Sequence, residues 1–229
     1  MKIRVLPIAL LCILLSGCGN TGSKPEQPAE PVPVETTVEE TAAAAAGAVI
    51  NPLPDTTMDA RDDSIVHVSF VQDDIYRDEQ GKVVLRVQIY AYDQFDMVDI
   101  SALKAGDTIY LSGEAVTVNA LERNEHGTVL INGGLDEGGF DLATDDGGIY
   151  YAQGYSDMKF WNPVGEAEYL VSDDFVFTDS ANLELGELSY SVQDLLDGMP
   201  DPVFGYQPQN TTVRTENGMV VEMSRVYTP

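Results

Sequence analysis

The amino-acid sequence predicts an all-β fold, or a β-rich α+β one, of small-barrel or sandwich type. It is expected to consist of antiparallel sheets with at most one or two short helices. Two observations carry this. Apolar and polar residues alternate with period two in a series of short runs after residue 47, as in half-buried strands. Between the runs stand clusters of Gly, Asn, Asp and Ser, the residues that turns require, and a single helix-start signal interrupts them.

The first run, 64–72 (SIVHVSFVQ), sets Val66, Val68 and Phe70 on one face and His67 on the other, so His67 is expected to point to solvent. The second, 82–93 (KVVLRVQIYAYD), sets Val83, Leu85, Val87, Ile89 and Ala91 opposite Arg86, Gln88, Tyr90 and Tyr92. The turn-rich DDIYRDEQG between them makes the pair a long hairpin. Residues 102–133 read as three strands, about 107–112, 115–122 and 128–132, with turns at Ser112-Gly113-Glu114 and at 124–127. The phrase Leu103-Lys104-Ala105-Gly106-Asp107 before the first of them is similar to the opening of many small β-barrels, which speaks to fold alone.

Residues 133–161 are rich in glycine, carboxylates and tyrosine, and no strand is assigned there. Short strands follow at 167–171 and 175–178. Ser191 and Asp194 form a capping-box pattern for a helical turn or two at 191–196. The chain closes with a hairpin, 211–216 and 219–227, across Asn217-Gly218, the strongest short hairpin signal. There is no internal repeat.

Upstream, the composition changes. Residues 19–47 are mostly Pro, Glu, Thr and Ala and bury too little apolar surface to offset ordering, so a disordered tether is expected. Before it, Lys2 and Arg4 lead into the uncharged run VLPIALLCILL. That run is too short for a bilayer-spanning helix, which needs about 20 apolar residues, and it fits the h-region of a signal peptide. It ends in Leu15-Ser16-Gly17-Cys18, which resembles the lipobox of bacterial lipoproteins. The resemblance implies a signal peptide over 1–17, cleavage before Cys18, and diacylglyceryl and palmitate-type acyl chains on Cys18. It also implies a lipidated tether over 18–47 and an extracytoplasmic β-rich domain over 48–229. Two acyl chains hold a protein stably at a membrane where one gives only marginal binding.

Composition narrows the chemistry. Cys12 leaves with the leader and the Cys18 sulfur is acylated, so disulfides, thiol nucleophiles and Cys-ligated zinc are not expected. Against 12 basic residues stand 38 acidic ones, a formal net charge of −26. Phosphate binding needs basic stripes, so nucleic acid is not an expected partner. The acidity serves solubility, or else it meets metal cations or a basic partner.

Candidate site residues follow from this. His67 on a solvent face and His126 in a turn give no crevice-held histidine for a triad or a metal. No nucleophile-elbow, zinc-protease, phosphate-loop or dinucleotide motif is present. Calcium is the cation to consider, with Asp136, Asp141, Asp145 and Asp146 as oxygen ligands on glycine-bearing turns, though their spacing departs from the EF-hand loop. The other reading is an acidic turn without metal, with no cofactor at all. Gly133-Gly134 and Gly138-Gly139 either let a ligand approach the backbone or supply positive-φ turns. Tyr150, Tyr151, Tyr155 and Trp161 are the aromatics a sugar-binding cleft would use beside a carboxylate pair; alternatively they fill the core.

The acidic chain, the Ala-rich tether and the terminal NTTVRTENGMVVEMSRVYTP are similar to uncharacterised surface lipoproteins of anaerobic Gram-positive bacteria. That resemblance implies the outer face of a cytoplasmic membrane and no mechanism. The expected function is a non-enzymatic, membrane-anchored surface lipoprotein binding a ligand, glycan, ion or envelope protein. A carboxylate-based glycan hydrolase and a structural or assembly component of the envelope are the alternatives. Cys18→Ala should release the chain from membranes or leave its leader uncut. Membrane fractionation and palmitate labelling of expressing cells measure this, and normal processing with retention would remove the lipobox reading.

Overall fold

The computed structural model describes residues 47–198 and 205–228; the leader, Cys18 and all but the last residue of the expected tether lie outside them. In chain order the first elements are β1 (Val49–Ile50), α1 (Thr57–Ala60), β2 (Ile65–Ser69), β3 (Ile75–Arg77) and β4 (Val83–Ala91). Next come β5 (Gln94–Phe95), α2 (Met97–Ala102), β6 (Thr108–Leu111), β7 (Glu114–Thr117), β8 (Leu121–Arg123) and β9 (Val129–Ile131). Then follow β10 (Phe140–Thr144), β11 (Tyr150–Gln153), β12 (Asn162–Ser180), β13 (Leu188–Tyr190), α3 (Val192–Asp197), β14 (Thr211–Glu216) and β15 (Met219–Val226). The strand-rich class is the one the alternation predicts. Three short α-helices are present among the described residues; the capping box at Ser191 marks one of them, and α1 and α2 were not expected, although Asp96 caps α2 by accepting from the Val98 N–H at 2.7 Å.

Five strands form a ring. The first half of β12 pairs antiparallel with β4, from Asn162↔Ala91 to Leu170↔Val84. Its second half pairs parallel with β15, from Leu170↔Met219 to Ser180↔Val226. The circuit returns through β15–β14, β14–β2 and β2–β4, all antiparallel. β12 can serve both neighbours because it is long and irregular: between Val171 and Val176 its register shifts against β15. Such an extra stretch bends a strand and increases its twist. This single strand replaces the two separate strands expected at 167–171 and 175–178.

Inward-facing residues of the ring build one core, including Val66, Val68, Leu85, Val87, Ile89, Phe177, Val213 and Met223. The period-two sets of β2 and β4 are thus the core faces, as their alternation requires. Helix α3 closes the ring with Leu195, which is fully buried. Its capping box forms as expected: Ser191 Oγ accepts from the Asp194 N–H, and the Asp194 carboxylate accepts from the Ser191 N–H at 2.8 Å. The β14–β15 hairpin turns on Asn217 (φ 52°) and Gly218 (φ 71°), the left-handed pair that a two-residue turn demands.

Within the same core lies an ion pair. Arg225 is 0% exposed and Asp179 5% exposed, and the two are direct Cα partners in the parallel β12–β15 pairing. Arg225 Nε donates to Asp179 Oδ1 at 3.0 Å and Nη2 donates to Oδ2, giving a two-pronged contact. Nη1 donates to the Gly205 carbonyl at 3.1 Å, and the guanidinium lies 4.4 Å from the Tyr206 ring centroid. The planar fork of arginine suits this geometry in a way that lysine cannot.

Between β4 and β12, residues 92–161 form an inserted module with its own core of Phe95, Ile100, Ile109, Leu111, Ile131 and Leu142 among others. Its sheets are β6-β7, to which the upstream β1 adds in parallel, and β5-β11-β10-β9-β8. The expected strand 115–122 is two strands, β7 and β8, in different sheets. Asn132 (φ 54°) accounts for the break: its Oδ1 accepts from Asn119 and Ala120 N–H and its Nδ2 donates to the Thr117 carbonyl, so the side chain takes the place of a strand partner. The glycine-rich stretch contains a hairpin, β10–β11, around an aspartate turn in which Asp145 Oδ1 accepts from the Gly147 and Ile149 N–H groups. Gly139 is required sterically, since a Cβ there would stand 2.0 Å from the Ile131 carbonyl oxygen. The Leu103–Asp107 phrase buries Leu103, turns at Gly106 and uses the buried Asp107 carboxylate to accept from Ala48 and Lys104 N–H at 2.8 and 3.0 Å.

Removing one partner of the ring's ion pair strands the other in the core, a loss of about 3–5 kcal/mol, whereas replacing both with apolar groups is far milder. Asp179→Leu alone should therefore lower the melting temperature by about 10 °C. The double change Asp179→Leu with Arg225→Met should recover most of that loss, as thermal unfolding followed by circular dichroism would show.

Candidate functional site

The insertion has a geometric consequence. Tyr92 and Asp93 leave the end of β4, and Trp161 immediately precedes β12, so the two chain crossings between ring and module stand side by side. They meet on the outer face of β2 and β4, where His67 and Tyr90 are direct cross-strand partners. Residues 51–57 run over the same place, held there by the Leu53 N–H donating to the Gln94 carbonyl at 2.6 Å. The result is a cleft of about 650 Å³, walled by Ile65, His67 and Tyr90 on the ring, Tyr110, Gly113 and Trp161 on the module, and the 51–57 strap. This volume falls within the range of small-ligand sites, and a junction between modules is where they often occur.

Four rings form a row, of which His67, Trp161 and Tyr92 line the cleft. His67 lies against Trp161 with centroids 4.2 Å apart, Trp161 meets Tyr92 edge-on at 5.1 Å, and Tyr92 meets Tyr151 edge-on at 6.1 Å. Lys159 Nζ sits 3.9 Å from the Tyr92 ring centroid and 2.7 Å from its hydroxyl, a favourable cation–aromatic contact.

His67 is thus not on a solvent face. Alternation correctly puts it outside the ring, but Trp161 and Pro208 cover that part of the outside. Its Nδ1 donates to the Pro208 carbonyl at 2.8 Å, a geometry that leaves Nε2 as the acceptor of the neutral ring. Burial pushes its pKa below the ordinary imidazole value, the Pro208 bond opposes this, and the Lys159 charge adds to the lowering.

Two carboxylates belong to the cleft, and neither was singled out from sequence. Asp93 is half-buried; its Oδ2 accepts from the Ser112 N–H at 2.5 Å. Burial raises its pKa, the Ser112 bond opposes this, and the charge of nearby Asp55 raises it further. Asp55 lies on the strap, with Oδ1 accepting from the Thr57 N–H at 2.9 Å. The local signal for Asp55 is its place two residues before a helix, where its side chain accepts from the Thr57 N–H; only the threading of the strap brings it to Asp93.

The residues chosen from sequence are distributed as follows. Trp161 lines the cleft and Tyr151 joins its aromatic row. Tyr150 packs against the module core, with its hydroxyl donating to the Gly127 carbonyl. Tyr155 is 68% exposed and donates to the Leu135 carbonyl in a separate, acidic hollow with Asp136, Asp141 and Asp157. The calcium candidates divide between the two ends of the β10–β11 hairpin. Asp141 accepts from the Leu135 N–H and Asp145 organises the opposite turn, while Asp136 and Asp146 are exposed. No group of three or more His, Cys, Asp or Glu side chains is arranged to hold a metal among the described residues. The four glycines are accounted for by backbone geometry: positive φ at Gly133, Gly134 and Gly138, and close packing at Gly139.

Because the fold favours neutral His67, the unfolded chain binds its proton more readily. Stability is therefore unaffected above about pH 6.5 and falls as pH drops from there through the lower folded-state pKa. Trp161 is the chain's one tryptophan and touches His67, so its emission should be quenched with a midpoint below pH 6.5 as the imidazole charges. A fluorescence titration checks this, and His67→Asn should abolish the step.

Against this geometry, comparison with known proteins is silent: no family model, no curated protein and no solved structure matches the chain.

Proposed function

We propose that the chain is a lipid-anchored, extracytoplasmic, non-enzymatic domain that binds glycan in the cleft between the ring and its inserted module. The observation that supports the binding role is the cleft itself, an aromatic-walled recess bearing amide, hydroxyl and carboxylate groups. Aromatic surface takes the apolar faces of a sugar ring, and a few convergent polar groups fix its hydroxyls. Tyr110 lines the same cleft as Trp161 and is 36% exposed, so one contact surface is available to a ligand without rearrangement. The anchor rests on the lipobox at Cys18, and among the described residues no helix is long and apolar enough to cross a membrane.

A second reading has one observation in its favour. Asp93, with its raised pKa, stands near Asp55, and glycoside hydrolysis uses a carboxylic acid of raised pKa beside an ionised partner.

One experiment addresses both. Oligosaccharides released from bacterial envelopes are titrated into the protein while Trp161 emission is followed and reducing ends are assayed. Saturable emission changes without new reducing ends are the expected result. Tyr110→Ala should weaken binding about threefold to tenfold, the worth of one aromatic contact. Absence of any saturable change would reject the binding role, and reducing ends that vanish with Asp93→Asn would establish the hydrolase instead.

A further inference from the structure

We infer that the cleft takes a positively charged glycan, a sugar bearing a protonated primary amine, held between the Asp55 and Asp93 carboxylates and the aromatic wall of Trp161, Tyr92 and Tyr110. This rests on the glycan-binding reading and narrows it to a charge class.

The first support is charge without a counter-charge. Asp55 comes from the strap and Asp93 from the end of β4, yet both line the one cleft, and neither Lys nor Arg is among its described lining residues. Each carboxylate spends one oxygen on a backbone N–H, Asp93 on Ser112 and Asp55 on Thr57. Asp93 Oδ1 and Asp55 Oδ2 make no hydrogen bond to any described residue, so two charged acceptors remain for a ligand. His67 adds no opposing charge at neutral pH, because burial keeps its ring uncharged. Lys159, the nearest ammonium, is engaged by the hydroxyl and face of Tyr92.

The second support is cost. With its pKa raised in the fold, Asp93 weakens stability once pH climbs above the ordinary carboxylate value of 3.8, and that penalty stays at neutral pH. An asparagine would keep the Ser112 bond without the penalty. An acidic group that stands where it lowers stability points to a use in the cleft.

The third is chemistry. An ammonium desolvated against carboxylates gains more in a half-enclosed cleft than on open surface, and ring faces nearby add a cation–aromatic term. The several rings lining the cleft suit the apolar face of a sugar ring carrying the amine better than a thin lysine chain.

The test uses the full acylated protein in detergent at 0.15 M salt, where charge effects of the distant surface are screened. Trp161 emission reports binding of three probes: glucosamine oligomers, their N-acetylated counterparts of equal length, and oligolysine. Glucosamine oligomers should bind tightest, and Asp93→Asn and Asp55→Asn should each weaken them about tenfold to a hundredfold, the worth of a hydrogen bond to a charged group. Neither change should affect the N-acetylated oligomers, and Asp93→Asn should leave the melting temperature equal or higher, which a merely structural role would not. Asp136→Asn, which removes the same charge from the remote hollow, should change nothing. Equal binding of acetylated and free oligomers would overturn the charge class and leave the glycan reading standing. Binding of neither sugar would overturn both, and oligolysine binding tightest with the same aspartate dependence would move the amine from a sugar to a peptide.

Discussion

The architecture depends on the charge pair buried where β12 and β15 end. Strand pairing in a small sheet is specified chiefly by which face is apolar, and a slip of one residue would send every side chain to the wrong side. The parallel contact of β12 with β15 joins segments far apart in the chain with no tight turn to set their register. Asp179 and Arg225 are opposite one another in that contact and fully withdrawn from water. Any other alignment would leave a carboxylate or a guanidinium buried alone, which is among the costliest errors a core can contain. The pair thus acts less as a source of stability than as a penalty on misalignment. It does so where the ring closes.

Closure in turn allows the insertion. β4 and β12 are paired up to Asn162↔Ala91, so their ends are adjacent and a whole module can leave and return without disturbing the ring core. Domain insertions succeed at such adjacent, exposed ends. The residues at the two crossings, Tyr92 with Asp93 and Trp161, are therefore neighbours by construction, and the cleft sits where ring, module and strap meet.

Much of the fold was legible because period-two alternation and turn chemistry are local. The core faces of β2 and β4, the Asn217-Gly218 hairpin and the Ser191 cap all follow from residues within a few positions of one another. What was not legible depends on distance. Nothing near Ala167–Ser180 says that two short strands are one long strand serving two partners. His67 was rightly placed outside the ring, but its burial comes from Trp161 and Pro208, far along the chain. Asp55 and Asp93 were invisible among 38 acids until the strap crossed the cleft. Asp145 was visible, but its part in the turn was not: its Oδ1 accepts from the Gly147 and Ile149 N–H groups. Local density of a residue type is legible in sequence, whereas convergence of separate segments is not.

The strap has one more consequence, a mechanical one. The described chain begins at the module, where the Ala48 N–H is held by Asp107 and β1 is zipped to β6 by two residue pairs, and only then does it cross to the ring. Tension arriving from the N-terminal side would meet that short parallel zipper first and the strap next. The wall of the cleft is therefore in series with that zipper: a pull strong enough to peel β1 from β6 would draw Ile50 out of the module core first and then lift the strap, with Asp55, from Asp93.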